Sequence, residues 1–255
     1  MGYLTFQQHN DYLEQGYVLV PGLIPESNLH RYESRFVSIA CGDCSCQPPM
    51  KVMRDIMVVK GAVEPATPLH GINKLMNFED DPVLYQYTTE PALLGAVRDL
   101  IGNDVYSIST NIFNKPPGVD GRHPLHQDLR YFRIRPASKI VAAWTAIGAT
   151  SRESGCLAAI PGSHKGKLLE HGNPDWEHLN AGFFGIDTRD PTAGKRVHLE
   201  MQPGDTLLFH PLLVHGSGRN RSDHFRRALS SHYAAADCPA TDHDWHASRQ
   251  ARRIS

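Results

Sequence analysis

The feature that most narrows the fold is a change of hydrophobic rhythm near residue 104. Beyond it, short β-rich runs alternate with Gly/Pro turns: Val105–Phe113, Ile140–Thr145, Cys156–Ile160, Val197–Met201, Thr206–Phe209, Leu212–His215 and Ala228–Ala234. Runs of this length between turn residues read as strands. Before residue 104 the rhythm is mainly helical. Phe6, Tyr12 and Leu13 keep a helical spacing that Gly16 can end, and Tyr17–Val20 is a strand-like run. Pro25-Glu26-Ser27 opens a second helix to about Cys41, with Leu29, Tyr32, Phe36 and Ile39 near one face. Met57-Val58-Val59 is expected to form another strand. Residues 80–101 are expected to hold one or two helices with a stripe of Leu93, Leu94, Val97 and Ile101. Helices first and many short strands later predict a mostly β protein, an antiparallel double-sheet barrel with a helical flank. Its 255 residues suit one domain, with the flank mainly 1–103 and the barrel mainly 104–240. The long loop from about 164 to 195 is a candidate lid.

Composition excludes several classes. Twenty-six basic against 27 acidic residues, a formal net charge of −1, give no electrostatic case for nucleic acid or an anionic membrane. No secretory leader and no apolar run of about 18 residues is visible, which predicts a soluble, cytoplasmic protein without a membrane span. The C-terminal Arg-Ile-Ser is not a peroxisomal address. Cys41, Cys44 and Cys46 have zinc-like spacing, but no Cys or His follows closely, so free thiols are expected.

His126-Gln127-Asp128 sets two metal-ligand side chains two residues apart, which on a strand share a face. His215 is the best third ligand. Two histidines and one carboxylate leave three coordination positions open, as suits non-haem Fe(II) oxygenases: two for a chelating co-substrate, one for O₂. His123, three residues before His126, falls on the wrong strand face, and His210 has only its place in the chain to recommend it. A dicarboxylate chelated at one end needs a fixed cation at the other. Arg226 and Arg227 both qualify, but strand neighbours face opposite ways and spacing does not choose between them. Ser217, on the strand face of His215, could donate to the same carboxylate. Tyr131 and Phe132 could wall a substrate pocket.

The strings Asn114-Lys115-Pro116-Pro117, Arg122 to Leu129, Ala143 to Ala146, Pro161 to Gly166, Gly204-Asp205-Thr206 and His210 to Gly218 resemble the phytanoyl-CoA dioxygenase family. The resemblance covers at least residues 70–240. It implies a double-stranded β-helix (jelly-roll, cupin-like) with the iron triad His126, Asp128 and His215. It implies that Arg226 takes the 2-oxoglutarate carboxylate beside Ser217, with further co-substrate contacts from Lys74 and Trp144. The family often has Met where this chain has Asn111, the remaining co-substrate position. The family's peroxisomal leader is not visible, which suits a bacterial cytoplasmic homologue or a trimmed chain.

The activity implied is that of an Fe(II)- and 2-oxoglutarate-dependent dioxygenase, with O₂ as co-substrate, hydroxylating a small molecule. Asp128 speaks for hydroxylation, since related halogenases lack this carboxylate. The leading substrate is a branched fatty acyl-CoA attacked at the 2-position. Arg130, Arg133, Arg135 and Lys139 form a basic run that could meet its phosphates. A non-CoA metabolite is the alternative within the class. A metal-binding cupin-like protein without oxygenase activity, or a zinc hydrolase, is the alternative outside it. Specificity is expected in residues 41–70, in the loop 164–195 and in 243–253.

Overall fold

A computed structural model describes residues 2–186, 194–239, 245–248 and 250–254. Among the described residues five α-helices flank the strands: α1 (Phe6–Gln15), α2 (Glu26–Cys41), α3 (Ile56–Val59), α4 (Tyr85–Thr88) and α5 (Pro91–Ile101). The strands are β1 (Tyr17–Val20), β2 (Lys51–Arg54), β3 (Ile72–Met76), β4 (Val105–Lys115), β5 (His123–His126), β6 (Ile140–Ala146), β7 (Leu157–Ala159), β8 (Val197–Leu199), β9 (Thr206–Phe209), β10 (His215–Ser217), β11 (Arg226–Ala235) and β12 (Arg252–Ile254). They form two antiparallel sheets. The larger runs β1-β9-β6-β11-β4-β3-β2 with β12 also on β4, and the smaller runs β5-β10-β7-β8.

Period-two alternation in the larger sheet separates two interiors. Val141 and Ala143 of β6, with Leu229 and Tyr233 of β11, pack under the helices against fully buried Tyr32, Phe36 and Leu93. Each such side chain contributes roughly 1.5–3 kcal/mol of burial. Ala142, Trp144 and Ala146 face the other way, into a core shared with Leu157 and Ala159 of the smaller sheet. This is the jelly-roll expected from the sequence, and the functional side chains stand on its inner faces.

Local signals explain most of the flank. In α1 the Thr5 hydroxyl accepts from the Gln8 N–H and the Gln8 side chain accepts from the Thr5 N–H, a complete capping box. Gly16 ends the helix at φ 82°, where a Cβ would lie 2.4 Å from the His164 ring. The strand expected at Met57–Val59 is instead helix α3. Asp55 caps it by accepting from the Met57 N–H at 2.9 Å, and pairing resumes only at β3, which the sequence reading missed. The strand expected at Leu212–His215 starts at His215, because Pro211 and a turn from the Leu213 N–H to the His210 carbonyl occupy the preceding residues. Elsewhere the expected strands stand within a few residues of their predicted ends.

Candidate active site

His126 ends β5, His215 opens β10, and the two residues are paired in register. Asp128 is not on the strand, as the sequence reading assumed, but begins a 3-10 turn over Asp128–Tyr131. The i, i+2 rule still works because Gln127 keeps extended backbone (φ −122°, ψ 127°), carrying the alternation one residue further. Gln127 is fully buried and fastens this corner: its amide donates to Leu212 and Lys167 carbonyls and accepts from the Leu169 N–H.

One carboxylate oxygen of Asp128 (Oδ1) lies 3.2 Å from His126 Nε2 and 3.7 Å from His215 Nε2. The three donor atoms lie within 4.8 Å of one another and all three residues are buried. The ring orientations are held from behind. His126 Nδ1–H donates to the Pro124 carbonyl at 2.8 Å and His215 Nδ1–H to the Leu213 carbonyl at 3.0 Å, so both Nε2 lone pairs face Asp128. His232 was missed. Its Nε2–H donates to Asp128 Oδ2 at 2.8 Å, leaving Oδ1 as the oxygen that converges with the histidines. Burial alone would raise the Asp128 pKa, but the neighbouring His215 and His232, with the hydrogen bond from His232 and the close approach of His126, bring it well below the carboxylate range. Burial, then the neighbouring His126, lowers His215 to about 4. Neutral imidazoles and an ionised carboxylate are the donor forms a divalent metal requires, and two His and one Asp are the set that suits non-haem Fe(II).

His123 corrects the strand-face expectation. β10 pairs His215 with His126 but Ser217 with His123, so β5 carries one extra residue between the pairs. That bulge turns His123 to the face of His126, whose ring it stacks on at 4.0 Å between centroids, with Phe183 on its other side at 4.0 Å. Spacing alone cannot reveal a bulge; Pro124 inside the strand is the one local hint.

Arg226 and Arg227 part as alternation requires. Arg226 is 3% exposed and lies 5.4 Å above the Trp144 ring, its Nε–H on the Gly155 carbonyl. Arg227 points out to Glu33 of α2 at 2.6 Å and to Asn114. Beside Arg226 stands Lys115, which the sequence reading quoted but gave no role. Its ammonium donates to Ser217 Oγ at 2.8 Å and to the Gly218 carbonyl at 2.5 Å. Burial, then the Arg226 charge, pushes the Lys115 pKa well down, and burial brings Arg226 to about 10. Among the described residues neither cation has a carboxylate in ion-pair contact. Two adjacent buried cations with no carboxylate in ion-pair contact are costly, and their chemistry fits an anionic group such as a co-substrate carboxylate.

A cavity of about 610 Å³ joins the His-Asp-His group to Arg226 and Ser217, with Lys115 outside its wall. Lys74, Asn111, Trp144, Ser217 and Arg226 all line it, together with the three candidate ligands. Lys74 lies over the Phe113 and Phe183 rings at 5.2 and 5.8 Å, and burial lowers its pKa to about 8. Asn111 donates to Ser109. The far wall is apolar, with Met53, Met76, Ile108, Ile134 and Trp245. Tyr131 and Phe132 do line the cavity: the Tyr131 hydroxyl donates to the Gly182 carbonyl, and Phe132 packs on His232. Ala181–Phe184 of the expected lid and Ser248, Gln250 and Ala251 near the C-terminus complete the wall. Residues 187–193 of that loop, and 243, 244 and 249 of the C-terminal stretch, lie outside the described residues.

Other sequence candidates stand elsewhere. His210 packs on His164. Cys41 and Cys46 are exposed free thiols, Cys44 accepts from Arg35, and the metal-compatible group among the described residues contains no cysteine. In the basic run, Lys139 pairs with Asp237 and Arg135 donates to the Phe132 and Ile134 carbonyls, while Arg133 lines the cavity and Arg130 covers Phe184. No helix among the described residues is long and apolar enough to cross a membrane.

Comparison with known proteins agrees with this geometry. The family model for phytanoyl-CoA dioxygenase matches residues 12–228. The chain is 42% identical to a probable phytanoyl-CoA dioxygenase of Caenorhabditis elegans over 92% of its length and 76% of the relative's. It is 40% identical to the peroxisomal phytanoyl-CoA dioxygenase of Homo sapiens, over 94% and 71%. Among solved structures, a non-heme alpha ketoglutarate dependent carbocyclase from nogalamycin biosynthesis superposes with a TM-score of 0.74 at 19% identity, covering 100% of this chain and 99% of that one. That likeness speaks for the fold. The fold, the convergent His-Asp-His group and the close relatives agree that this chain belongs to the phytanoyl-CoA dioxygenase family of Fe(II)- and 2-oxoglutarate-dependent oxygenases.

Proposed function

We propose that the described residues form one oxygenase domain in which His126, Asp128 and His215 hold Fe(II) and Arg226 with Ser217 takes the far carboxylate of 2-oxoglutarate. The observation that carries this is the pairing of a convergent His-Asp-His donor set with a buried Arg226 that lines the same cavity and has no carboxylate in ion-pair contact among the described residues, with Lys115 behind it. A zinc hydrolase or an inert cupin-like metal protein would need only the first. When bound, iron and 2-oxoglutarate supply the oxidising chemistry, with succinate and CO₂ formed alongside the hydroxylated product. The chain's own residues bind and orient. Arg226 and Ser217 fix one end of the co-substrate, Lys74 and Trp144 flank it, and His232 holds Asp128 to one geometry. The lid residues Gly182–Phe184 exclude water from the reacting carbon.

The proposed reaction is hydroxylation at the 2-position of a branched fatty acyl-CoA. The roughly 40% identity to relatives named for phytanoyl-CoA supports it. So does an apolar chamber beside the donor set, with Arg130 and Arg133 near its wall. A non-CoA metabolite is the second reading, favoured by one observation: Lys139 and Arg135 of the basic run are already engaged by Asp237 and backbone carbonyls. The cytoplasm is kept as the place of action, although the human relative is named peroxisomal. A substrate panel decides. Branched acyl-CoA thioesters are expected to stimulate succinate formation one-for-one with a 2-hydroxylated product, and the free acids to do so less. If thioesters leave 2-oxoglutarate decarboxylation at its uncoupled rate while another metabolite raises it, the acyl-CoA assignment is wrong and the oxygenase assignment stands.

A further inference from the structure

The hydrogen bonds around Ser217 assign a role to Lys115. A serine hydroxyl has one proton to give and two lone pairs to offer. Lys115 Nζ donates to Ser217 Oγ at 2.8 Å and an Arg226 Nη donates to it at 3.5 Å. A guanidinium is a donor only, and so is Lys115 in its protonated form, so with Lys115 charged both contacts use lone pairs of Ser217. Among the described residues Ser217 donates to no protein acceptor. Its proton is therefore left for whatever sits in the cavity that Ser217 and Arg226 line. Lys115 itself is not on that cavity's wall; it stands behind Ser217, anchored by the Gly218 carbonyl at 2.5 Å. Its stem passes Gly121, where an added Cβ would lie 3.2 Å from Lys115 Cγ. β4 and β11 place the pair in register, Lys115 opposite Arg226.

We propose that Lys115 is a positioning residue of the co-substrate site. It fixes Ser217 as a hydrogen-bond donor toward the distal carboxylate of 2-oxoglutarate, and adds a second positive charge behind Arg226. This rests on the reading that this carboxylate binds at Arg226. A lysine kept only for packing would be poorly chosen, since the ammonium is costly to bury and Met would fill the space. Selectivity follows. The Lys115–Ser217 pair matters for a 2-oxo acid with a second carboxylate and is irrelevant to one without it.

The test uses Zn(II)-loaded protein, which binds co-substrate without turnover, and compares 2-oxoglutarate with pyruvate by calorimetry. Lys115→Met is expected to weaken 2-oxoglutarate by about tenfold to a hundredfold, as for a lost charge-assisted hydrogen bond. Pyruvate binding should stay unchanged. Ser217→Ala should weaken 2-oxoglutarate too, and Lys115→Met should add much less on that background, because its effect passes through the hydroxyl. Wild-type affinity in Lys115→Met overturns the proposal, as does equal weakening of both ligands or full additivity with Ser217→Ala. If Lys115→Met does not fold, Lys115→Gln, which keeps an N–H donor but no charge, is judged by the same two ligands. Arg226→Met separates the underlying reading: if it binds 2-oxoglutarate like wild type, the carboxylate is not at Arg226 and the whole site assignment fails. If only Lys115→Met is silent, the site stands and Lys115 has no part in it.

Discussion

The two ends of the cavity are built differently. At the metal end His126, His215, Ser217 and Arg226 stand on paired strands, and each side chain is tied by a second group: Pro124 and Leu213 carbonyls, Lys115, Gly155. At the other end the walls come from the turn Tyr131–Ile134, the loop segment Ala181–Phe184 and the residues Trp245, Ser248, Gln250 and Ala251, with Tyr131 42% exposed. Strands hold reacting groups to within the small tolerances that chemistry needs, while loops accept changes of shape and so set what is admitted. Substitutions at the metal end should therefore change co-substrate and metal binding by large factors, and those at the far end should change which substrate couples.

The largest expected effect is at Arg226. Arg226→Ala should weaken 2-oxoglutarate binding by about 2–5 kcal/mol, since a buried carboxylate loses its principal cation. Arg227→Ala, on the other face against Glu33, should leave that binding nearly unchanged and lower thermal stability instead. Equal effects of the two substitutions on the dissociation constant would erase the distinction between the inner and outer faces of β11.

A smaller effect is expected behind the metal. His232→Phe keeps an aromatic ring but removes the N–H that holds Asp128 Oδ2. It should weaken Co(II) binding by roughly 10–100-fold, the usual cost of losing a partner of a ligand. His232→Gln, with a donor in its place, should recover part of that loss. Unchanged Co(II) affinity in His232→Phe would mean that packing alone orients the carboxylate.

The smallest concerns pH. Burial brings Lys74 to about 8, with the Asp128 charge opposing, so its ammonium is present below that pH and lost above it. The 2-oxoglutarate dissociation constant should be flat below pH 8 and rise above it, by at most about tenfold per unit for one lost charge. Lys74→Met should flatten the profile. A flat wild-type profile would take Lys74 out of the co-substrate site.

The same contrast explains what could be read from the sequence. The convergence of His126, Asp128 and His215 was legible because period-two spacing survives into Gln127 and because a second strand brings His215 opposite His126. Arg226 against Arg227 was reducible by alternation to a choice of two, and the sheet's inner face made the choice. His123 was misread because a bulge breaks the rhythm that the argument relied on. Lys115 and His232 went unassigned because the side chains they bond, Ser217 and Asp128, lie more than 100 residues away in sequence, which no local pattern records. Met57–Val59 misled because a β-branched run says nothing of the Asp55 cap before it.

The most direct test of the central claim is the visible spectrum of the protein with Fe(II) and 2-oxoglutarate under anaerobic conditions. A chelated 2-oxo acid on Fe(II) held by two histidines and one carboxylate should show a weak charge-transfer band that saturates with one equivalent of each. The band should vanish in His126→Ala, Asp128→Ala or His215→Ala variants that still fold, since these side chains line a cavity rather than packed core. No band in the wild-type protein, or a band that survives loss of any one of the three residues with iron affinity unchanged, would contradict the assignment of the iron site.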